Sequence, residues 1–523
     1  MLKKKYTQIL LWVAGLSLLF VLYTLGLSHN PPGFFRDESA VAYNAYLIAH
    51  TGAGEFGSRF PLYFQVYTGG ITQYLSPATV YLLAVVFLFL PPSILVARLV
   101  SAFWVFVACL LLGVLAKRIS GQFKIGVVVA ATALLTPWFF DVRGVLLEPQ
   151  FIPVAVIGFL FAVYHAQQKD YWNWLDVSMI AAALVPVTYC YTSGRVLGPL
   201  LALGLVVFAT TKQKLSRVAK TWVLYGVTFF PILLFNWRHN GALTKRLSEV
   251  SYIRPDLPLS DIVSKFVGRY LEDQDLTALL LYGDSHGRHH VQGAGGPILF
   301  ATFILAVFGL LLVLARRWRE PWWRFIVYGV AIAIIPGAIT VEPFHQMRLM
   351  AYPVFLLILT VPALEFLLAR NDQKQNAGGS KQAAGNRKSA HDMMAFGLAR
   401  SARVAILVVV LALTIVQAIY FQAIFRSEGP KRDFDFSTSY KAAYDVAVAQ
   451  PVRPIYLEDG YWGPDYVNAL WYATVERRPT SEFVHLDWGA KPPSGAIVLS
   501  SNETCKNCEI IKRGAGCLLY KSE

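Results

Sequence analysis

Long apolar runs recur along the chain, and short polar stretches that contain most of its charged residues separate them. As helices, these runs are long enough to cross, or nearly cross, a hydrocarbon layer of about 30 Å. The pattern therefore predicts a polytopic α-helical membrane protein with about eleven transmembrane helices. The predicted spans are residues 7–27, 94–116, 124–140, 150–166, 174–190, 196–211, 218–235, 297–315, 324–340, 349–369 and 403–425.

One further apolar run, Leu75 to Leu90, is short, and prolines stand near its start and directly after its end. If this run crossed the membrane, every later loop would change sides. We place it at the outer interface, because the basic loops between later spans then face the cytoplasm, as the positive-inside rule requires. This choice predicts a cytoplasmic N-terminus and two large outer loops, residues 28–93 and 236–296.

Two polar segments interrupt or follow the apolar runs. Residues 371–402 are rich in Gln, Asn, Gly, Ser and Lys, which predicts a flexible cytoplasmic linker. Residues 426–523 predict a small extracytoplasmic α/β domain after a transmembrane domain of residues 1–425. Its strand-like runs are 454–457, 496–500 and 517–520, and its helix-like stretches are 440–449 and 466–475.

The cysteines agree with this placement. Cys109 and Cys190 lie in predicted spans, where they serve as small apolar side chains. Cys505, Cys508 and Cys517 lie in the outer domain, where an oxidising compartment favours a disulfide among them. A zinc site would need a fourth ligand, and the sequence identifies none.

The composition supports an integral protein of the cell membrane. Hydrophobic residues make up 55% of the chain and charged residues 15%, whereas soluble domains contain about 25% charged residues. The mean hydropathy is +0.47. The net charge of +15 comes from basic residues in short loops, which orient a membrane protein, so we do not expect a nucleic-acid partner.

Two adjacent acids, Asp37 and Glu38, follow the first span after a short break that contains two prolines. A charge left at membrane depth costs at least ~3 kcal/mol, so such groups usually lie in a polar cavity and have a function there. The alternative is that both acids only cap a helix predicted from Ser39 to His50. The acids alone leave both interpretations open.

The predicted topology collects further polar side chains on the same outer face. Arg143 lies between the third and fourth spans, Arg195 follows the fifth, and His345 and Arg348 precede the tenth. Arginines in short outer loops oppose the positive-inside rule, and a bound phosphate would compensate because a guanidinium offers it a planar fork of donors. For any single arginine, a contact with lipid headgroups explains the same position.

The second outer loop contains a histidine-rich stretch with His286, Arg288 and His289, flanked by glycines. Glycines favour a mobile substrate-binding loop. The histidines and nearby carboxylates also raise the alternative of a divalent metal ion, although their spacing matches no metal-binding signature. The sequence therefore fixes no cofactor and leaves a metal ion open.

Taken together, several of these stretches resemble the polyprenyl-phosphate-dependent membrane glycosyltransferases of the C-type superfamily. This superfamily includes protein O-mannosyltransferases and the lipid A aminoarabinose transferase, and the resemblance covers roughly residues 1–425. The motifs that carry it are Arg36-Asp37-Glu38, the interfacial run Leu75 to Leu90, Ala97-Arg98 at the start of the second span, Arg288-His289-His290, and Glu342-Pro343-Phe344-His345-Gln346-Met347-Arg348.

The resemblance implies transfer of a sugar from a polyprenyl-phosphate donor to a lipid, glycan or protein acceptor at the outer face. Asp37 would be the general base, and Glu38 would support it or help to bind a metal. The donor phosphate would be held by Arg143, Arg195, His345 and Arg348, and the substrate loop would contain His286, Arg288 and His289. Direct displacement with one carboxylate base predicts inversion, because adjacent acids rarely flank a sugar at the roughly 5 Å spacing that retention requires.

Two other classes of protein compete with this interpretation. A ligase or polymerase of surface glycans would also place arginines in its outer loops, but its chemistry would not require the adjacent acids of the first loop. A lipid or glycan transporter would carry polar groups deep in its spans. The predicted spans are largely free of charge at their centres, which counts against transport. A scaffold without activity is the remaining alternative.

Overall fold

The computed structural model describes residues 2–68, 71–369, 399–460 and 463–523. Most of the predicted linker, residues 371–402, lies outside the described residues. In chain order, the α-helices up to the last apolar one are α1 (Leu2–Thr24), α2 (Arg36–Thr51), α3 (Pro77–Phe87), α4 (Ile94–Ser120), α5 (Phe123–Leu135), α6 (Pro137–Val142), α7 (Ile152–Gln167), α8 (Trp174–Cys190), α9 (Gly194–Gly204), α10 (Lys212–Val227), α11 (Phe230–Arg238), α12 (Ala242–Val250), α13 (Leu259–Glu272), α14 (Phe300–Leu312), α15 (Pro321–Ile332), α16 (Ile335–Ala338), α17 (Tyr352–Leu368) and α18 (Arg400–Glu428).

Each of the predicted spans coincides with an apolar helix. Within the described residues, 7 helical stretches are long and apolar enough to cross a membrane. Four other predicted spans correspond to the shorter apolar helices α5, α8, α9 and α17. The long and the short helices together account for all eleven predicted spans. The predicted class, a polytopic helical membrane protein, is confirmed; which side each terminus faces stays a prediction.

The predicted interfacial run forms α3, a helix of 11 residues. At 1.5 Å per residue it is about 16 Å long, too short to cross the hydrocarbon layer. A β-hairpin that the sequence analysis missed precedes it, with β1 (Phe64–Thr68) antiparallel to β2 (Ile71–Leu75). The signal was present: alternating strand-forming residues on both sides of Gly69-Gly70 are typical of a hairpin.

Close helix packing is visible between α4 and α5. Ser93 caps α4 by accepting a hydrogen bond from the Val96 N–H at 3.2 Å, and Gly121 ends it in the left-handed region at φ 68°. A Cβ on Gly113 would lie 2.5 Å from the Gly126 carbonyl oxygen, and one on Gly126 would lie 2.7 Å from that of Gly113. The two glycines therefore let the backbones touch, as small residues do between membrane helices.

The centre of the bundle is α17, in which almost every residue is buried. It packs against α14, α15, α4 and α5, among other elements. A helix that is apolar around its whole circumference is stable only when neighbours or lipid surround it. Here neighbouring helices surround it, so α17 is a central helix of the bundle.

The C-terminal part is the predicted small α/β domain. Its elements are α19 (Thr438–Ala449), β3 (Ile455–Glu458), α20 (Tyr466–Val475), β4 (Phe483–His485), β5 (Ile497–Ser500), β6 (Cys508–Gly514) and β7 (Cys517–Ser522). The sheet has the order β4-β3-β5-β7-β6, with β3 parallel to β4 and β5, and β7 antiparallel to β5 and β6. Two of these strands, β4 and β6, were not predicted.

Two contacts fix this domain to the first outer loop. The Phe34 ring stacks on Trp471 of α20 at a centroid distance of 5.6 Å, and the Arg36 guanidinium lies 3.2 Å from the Asp465 carboxylate. The predicted disulfide is present between Cys505 and Cys508, and Cys517 is buried and free. The domain therefore sits directly over the start of α2.

Candidate active site

The adjacent acids lie in the first turn of α2 and have different surroundings. Glu38 is completely buried, and its carboxylate lies 3.3 Å from the Arg98 guanidinium of α4. It also accepts hydrogen bonds from the backbone N–H groups of Phe35 at 3.0 Å and Leu146 at 2.9 Å. Glu38 thus joins α2, α4 and the loop after α6, and it does not line the cavity that its neighbour faces.

Asp37 is half-buried and faces a cavity of about 570 Å³, which we call the central cavity. This volume is in the range of sites that enclose a small molecule. A smaller cavity of about 190 Å³ adjoins it and shares Asp37, Glu148 and Arg348 in its wall. The structure therefore places the first-loop acid beside a space that can hold a ligand.

Cationic side chains form another wall of the central cavity. Arg288 and Arg348 both line it, together with His286. The Arg348 guanidinium is held by the Glu342 carboxylate at 2.7 Å and by the Thr340 hydroxyl at 2.8 Å. Because these partners use only part of the planar fork of donors on Arg348, this side chain retains N–H groups for an anion.

Three imidazoles meet at the edge of this wall. The His289 and His345 rings are 4.6 Å apart, and His286 lies 5.1 Å and 5.7 Å from them. The Asp284 carboxylate accepts hydrogen bonds from His286 at 3.0 Å and from His289 at 2.8 Å. Gln346 contributes its backbone N–H to the same carboxylate at 2.8 Å.

This arrangement shifts the pKa values of the three histidines in different directions. Burial disfavours the charged form of Asp284, but the histidines around it outweigh burial and hold the pKa of that carboxyl well below its usual value. The hydrogen bond to Asp284 raises the pKa of His286. Burial lowers the pKa of His289, and burial with the nearby His289 and Arg348 charges lowers that of His345 well below the usual value. His286 is thus the imidazole that most readily becomes cationic.

Part of the cluster, one carboxylate and two imidazoles, fits a divalent cation. Asp284, His289 and His345 each bring one ligand atom within 4.8 Å of the others. The Nδ1 atom of His345 is buried and has no hydrogen-bond partner among the described residues. Carboxylate and imidazole are ligands that suit zinc and related divalent ions.

Two of the predicted phosphate ligands do not line either cavity. Arg143 is 1% exposed, and its guanidinium donates to the carbonyls of Tyr23 at 2.9 Å and Phe140 at 2.8 Å. The chain after α6 folds back on the end of α1, so this arginine satisfies backbone carbonyls. Arg195 lies 4.9 Å from the centre of the Tyr63 ring, although its neighbours from Tyr191 to Ser193 reach the smaller cavity.

The other predicted residues come together. His286, Arg288, His289, His345 and Arg348 line the central cavity with Asp37. Glu148 was not among the predicted site residues, yet it lines both cavities and its carboxylate accepts a hydrogen bond from the Ser76 N–H. Its position between two spans on the predicted outer face was the available signal, but nothing in the sequence showed that it would point towards Asp37.

The chain shares its fold with two crystal structures of ArnT from Cupriavidus metallidurans along nearly their whole length. The one bound to undecaprenyl phosphate has a TM-score of 0.53 at 11% identity, with 98% of each chain covered. The apo structure has a TM-score of 0.55 at 12% identity, covering 99% of this chain and 98% of that one.

A weaker likeness, with a TM-score of 0.49 at 13% identity, links 89% of this chain to 64% of the oligosaccharyltransferase AglB from Archaeoglobus fulgidus, and it adds nothing to the fold assignment. No protein-family model and no curated protein sequence matches the chain. The likeness to ArnT establishes the fold.

Proposed function

We propose that the protein transfers a sugar from a polyprenyl-phosphate-linked donor to an acceptor at the outer face of the membrane. The observation that carries this proposal is the common cavity of Asp37, Arg288 and Arg348. A carboxylate and two guanidinium groups around one space suit a reaction in which a proton is removed and a phosphate departs. The fold shared with ArnT, whose crystal structure contains undecaprenyl phosphate, supports the same donor class.

In the proposed reaction, Asp37 takes the proton from an acceptor hydroxyl or amine. The acceptor atom forms a bond to the anomeric carbon while the bond from that carbon to the phosphate oxygen breaks, and the lipid phosphate leaves with the electron pair. A single displacement inverts the configuration at the anomeric carbon. Positioned general bases contribute about 10²- to 10⁴-fold to such steps.

The cationic wall would stabilise the charge that grows on the departing phosphate. Arg288 and Arg348 supply fixed positive charge, and His286 can supply a further donor from the same wall. Donors aimed at developing charge in a site with little water are usually the largest single contribution to catalysis. A divalent ion held by Asp284, His289 and His345 would add positive charge beside this wall.

Glu38 has a positioning role in this proposal. Its buried pair with Arg98 sets the start of α2, and the start of α2 sets the direction of Asp37. Arg143 and Arg195 are left out of the phosphate site, because neither lines the central cavity.

The test is transfer by the purified protein in lipid nanodiscs. Donors would be undecaprenyl and dolichyl phosphates that each carry one hexose, pentose or amino sugar, offered with lipid, glycan and peptide acceptors. We expect release of free polyprenyl phosphate together with a glycosylated product of inverted anomeric configuration, read by mass spectrometry and NMR. Activity only with lipid-pyrophosphate-linked glycans would indicate a ligase or polymerase, and lipid movement across vesicles without any product would indicate a transporter.

A further inference from the structure

We propose that a second cavity, formed between the first outer loop and the C-terminal domain, binds the acceptor, and that this acceptor is a hydroxyl-rich saccharide. The inference rests on the proposed function and adds the class of the acceptor to it. We call this space the outer cavity. Its volume is about 370 Å³, and the residues that decide its chemistry are Phe434, Asp435, Ser437, Tyr440, Ser501 and Gly516.

The outer cavity borders directly on the central one. Phe35, Arg36, His286 and Arg288 line both spaces, so they form the partition between them. Asp37 lies on the central side only. A chain-like acceptor that occupies the outer cavity can therefore extend past Arg36 and present its terminal group to Asp37.

Polar side chains line this cavity. The Ser501 hydroxyl lies beside the Asp465 carboxylate, which accepts a hydrogen bond from it. The Asp435 carboxylate is half-buried and rests against the substrate loop at Gly287. A carboxylate has more lone pairs than one such contact uses, so these side chains can accept hydrogen bonds from a ligand with several hydroxyl groups.

An aromatic surface stands beside these polar groups. The Phe434 side chain is 75% exposed, and its ring lies over Gly516, where a Cβ would come within 3.9 Å of the ring. A flat apolar ring next to a carboxylate and hydroxyls matches a saccharide, whose C–H face packs on the ring while its hydroxyls pair with the oxygens. Small residues such as Gly460, Ala515 and Gly516 leave the space above the ring open.

A peptide fits this cavity less well. Extended peptides commonly bind by adding a strand to an exposed sheet edge. The lining residues Gly460, Ser501, Ala515 and Gly516 lie between the strands of the domain rather than within them. Among the described residues, the wall of this cavity therefore contains no strand edge, whereas its separate oxygens and its aromatic ring suit the scattered groups of a sugar.

The experiment measures saccharide binding to the full chain in nanodiscs without any donor. The probes are neutral disaccharides of glucose, mannose, galactose or N-acetylglucosamine, with an unmodified peptide as comparison, and binding is followed by saturation-transfer NMR and calorimetry. Loss of one aromatic contact is worth about three- to ten-fold in affinity, so Phe434→Ala should weaken saccharide binding by that factor. Trp488→Ala is the matched control, because Trp488 is 52% exposed on the same domain and does not line the cavity.

The possible results separate this inference from the proposed function. If transfer occurs and Phe434→Ala leaves both saccharide affinity and the acceptor KM at the wild-type value, the acceptor site is wrong while the transferase stands. If saccharides bind in a Phe434-dependent way but no donor is ever turned over, the sugar site stands and the transferase is wrong. Binding of the peptide in preference to every saccharide overturns the acceptor class.

Discussion

The buried pair of Glu38 and Arg98 gives the sharpest test of how α2 is positioned. The Glu38 side chain is 0% exposed and that of Arg98 is 1% exposed. Arg98 donates from Nε and Nη2 to the two carboxylate oxygens, each at 3.3 Å, and from Nη1 to the Pro31 carbonyl at 2.7 Å. One ion pair thereby holds both α2 and the chain segment that leads into it.

The substitution Glu38→Gln keeps the shape of the side chain but removes its charge. Each carboxylate oxygen of Glu38 accepts from one backbone N–H and one guanidinium N–H, so the NH2 group of the amide leaves two donors unpaired at a cost of about 1–3 kcal/mol each. Leaving a buried charge without its partner costs about 3–5 kcal/mol. Because these terms overlap, we expect Glu38→Gln to lower the free energy of unfolding by about 3–5 kcal/mol.

The assay is denaturant unfolding in detergent, followed by tryptophan fluorescence, for Glu38→Gln, Arg98→Met and the double variant. Since the two side chains contact each other, the double variant should be less destabilised than the sum of the single ones, by at least about 1 kcal/mol. Glu320→Gln is the control, because Glu320 pairs with Arg317 and its side chain is 49% exposed. Exposed ion pairs of this kind are worth about 1 kcal/mol or less.

A stable Glu38→Gln protein that transfers no sugar would refute this reasoning, because Glu38 would then act in the chemistry itself. Additive effects of the single substitutions would refute the direct pairing. We expect instead that loss of activity follows loss of stability, and that lipids or ligands which stabilise the fold partly restore both.

Two further predictions concern the cationic wall of the central cavity and the first outer loop. Arg348→Gln should raise the KM for the lipid-phosphate donor at least about ten-fold, because Arg348 lines the central cavity, whereas Arg143→Gln should cost stability and leave that KM unchanged; similar donor KM values in kinetic assays of the two variants would contradict the site. Burial raises the pKa of Glu55 to about 7, against a smaller opposite effect of the Tyr466 hydroxyl. Because the folded pKa is raised, the stability from this group is complete below about pH 4.5 and is lost as pH rises through about 7. Glu55→Gln should remove this dependence and make the protein about 3 kcal/mol more stable than wild type at pH 8; parallel unfolding curves from pH 4.5 to 8 would contradict it.

Sequence reasoning located the helices because the lengths of apolar runs in a membrane protein are set by the bilayer itself. It also placed the run that forms α3 at an interface, because the positive-inside rule then puts the basic loops on the cytoplasmic side. The 11-residue length of α3, about 16 Å, agrees with that placement. Sequence reasoning missed the hairpin of residues 64–75, where a short strand pattern lay inside a loop that was treated as a single unit. Helices that a long apolar run encodes were thus predictable, whereas short strands that depend on pairing with each other inside a loop were less so.

Some residues of the candidate site were likewise predictable from the sequence, and others were not. Residues close together in one loop, such as His286 and Arg288, reach the same cavity because the chain keeps them near each other. Arg143 and Arg348 look alike in the sequence, each on the predicted outer face, but backbone carbonyls surround one and a cavity the other. The direction of a side chain depends on where distant segments pass, and no local pattern records that.

The central claim is that Asp37 is the base in the cavity that holds the donor phosphate. The most direct measurement is single-turnover sugar transfer by Asp37→Asn, beside the dissociation constant of the donor for the same variant. We expect donor binding within about two-fold of wild type and a transfer rate lower by about 10²- to 10⁴-fold. A transfer rate that stays within a few-fold of wild type would contradict the claim and require another base.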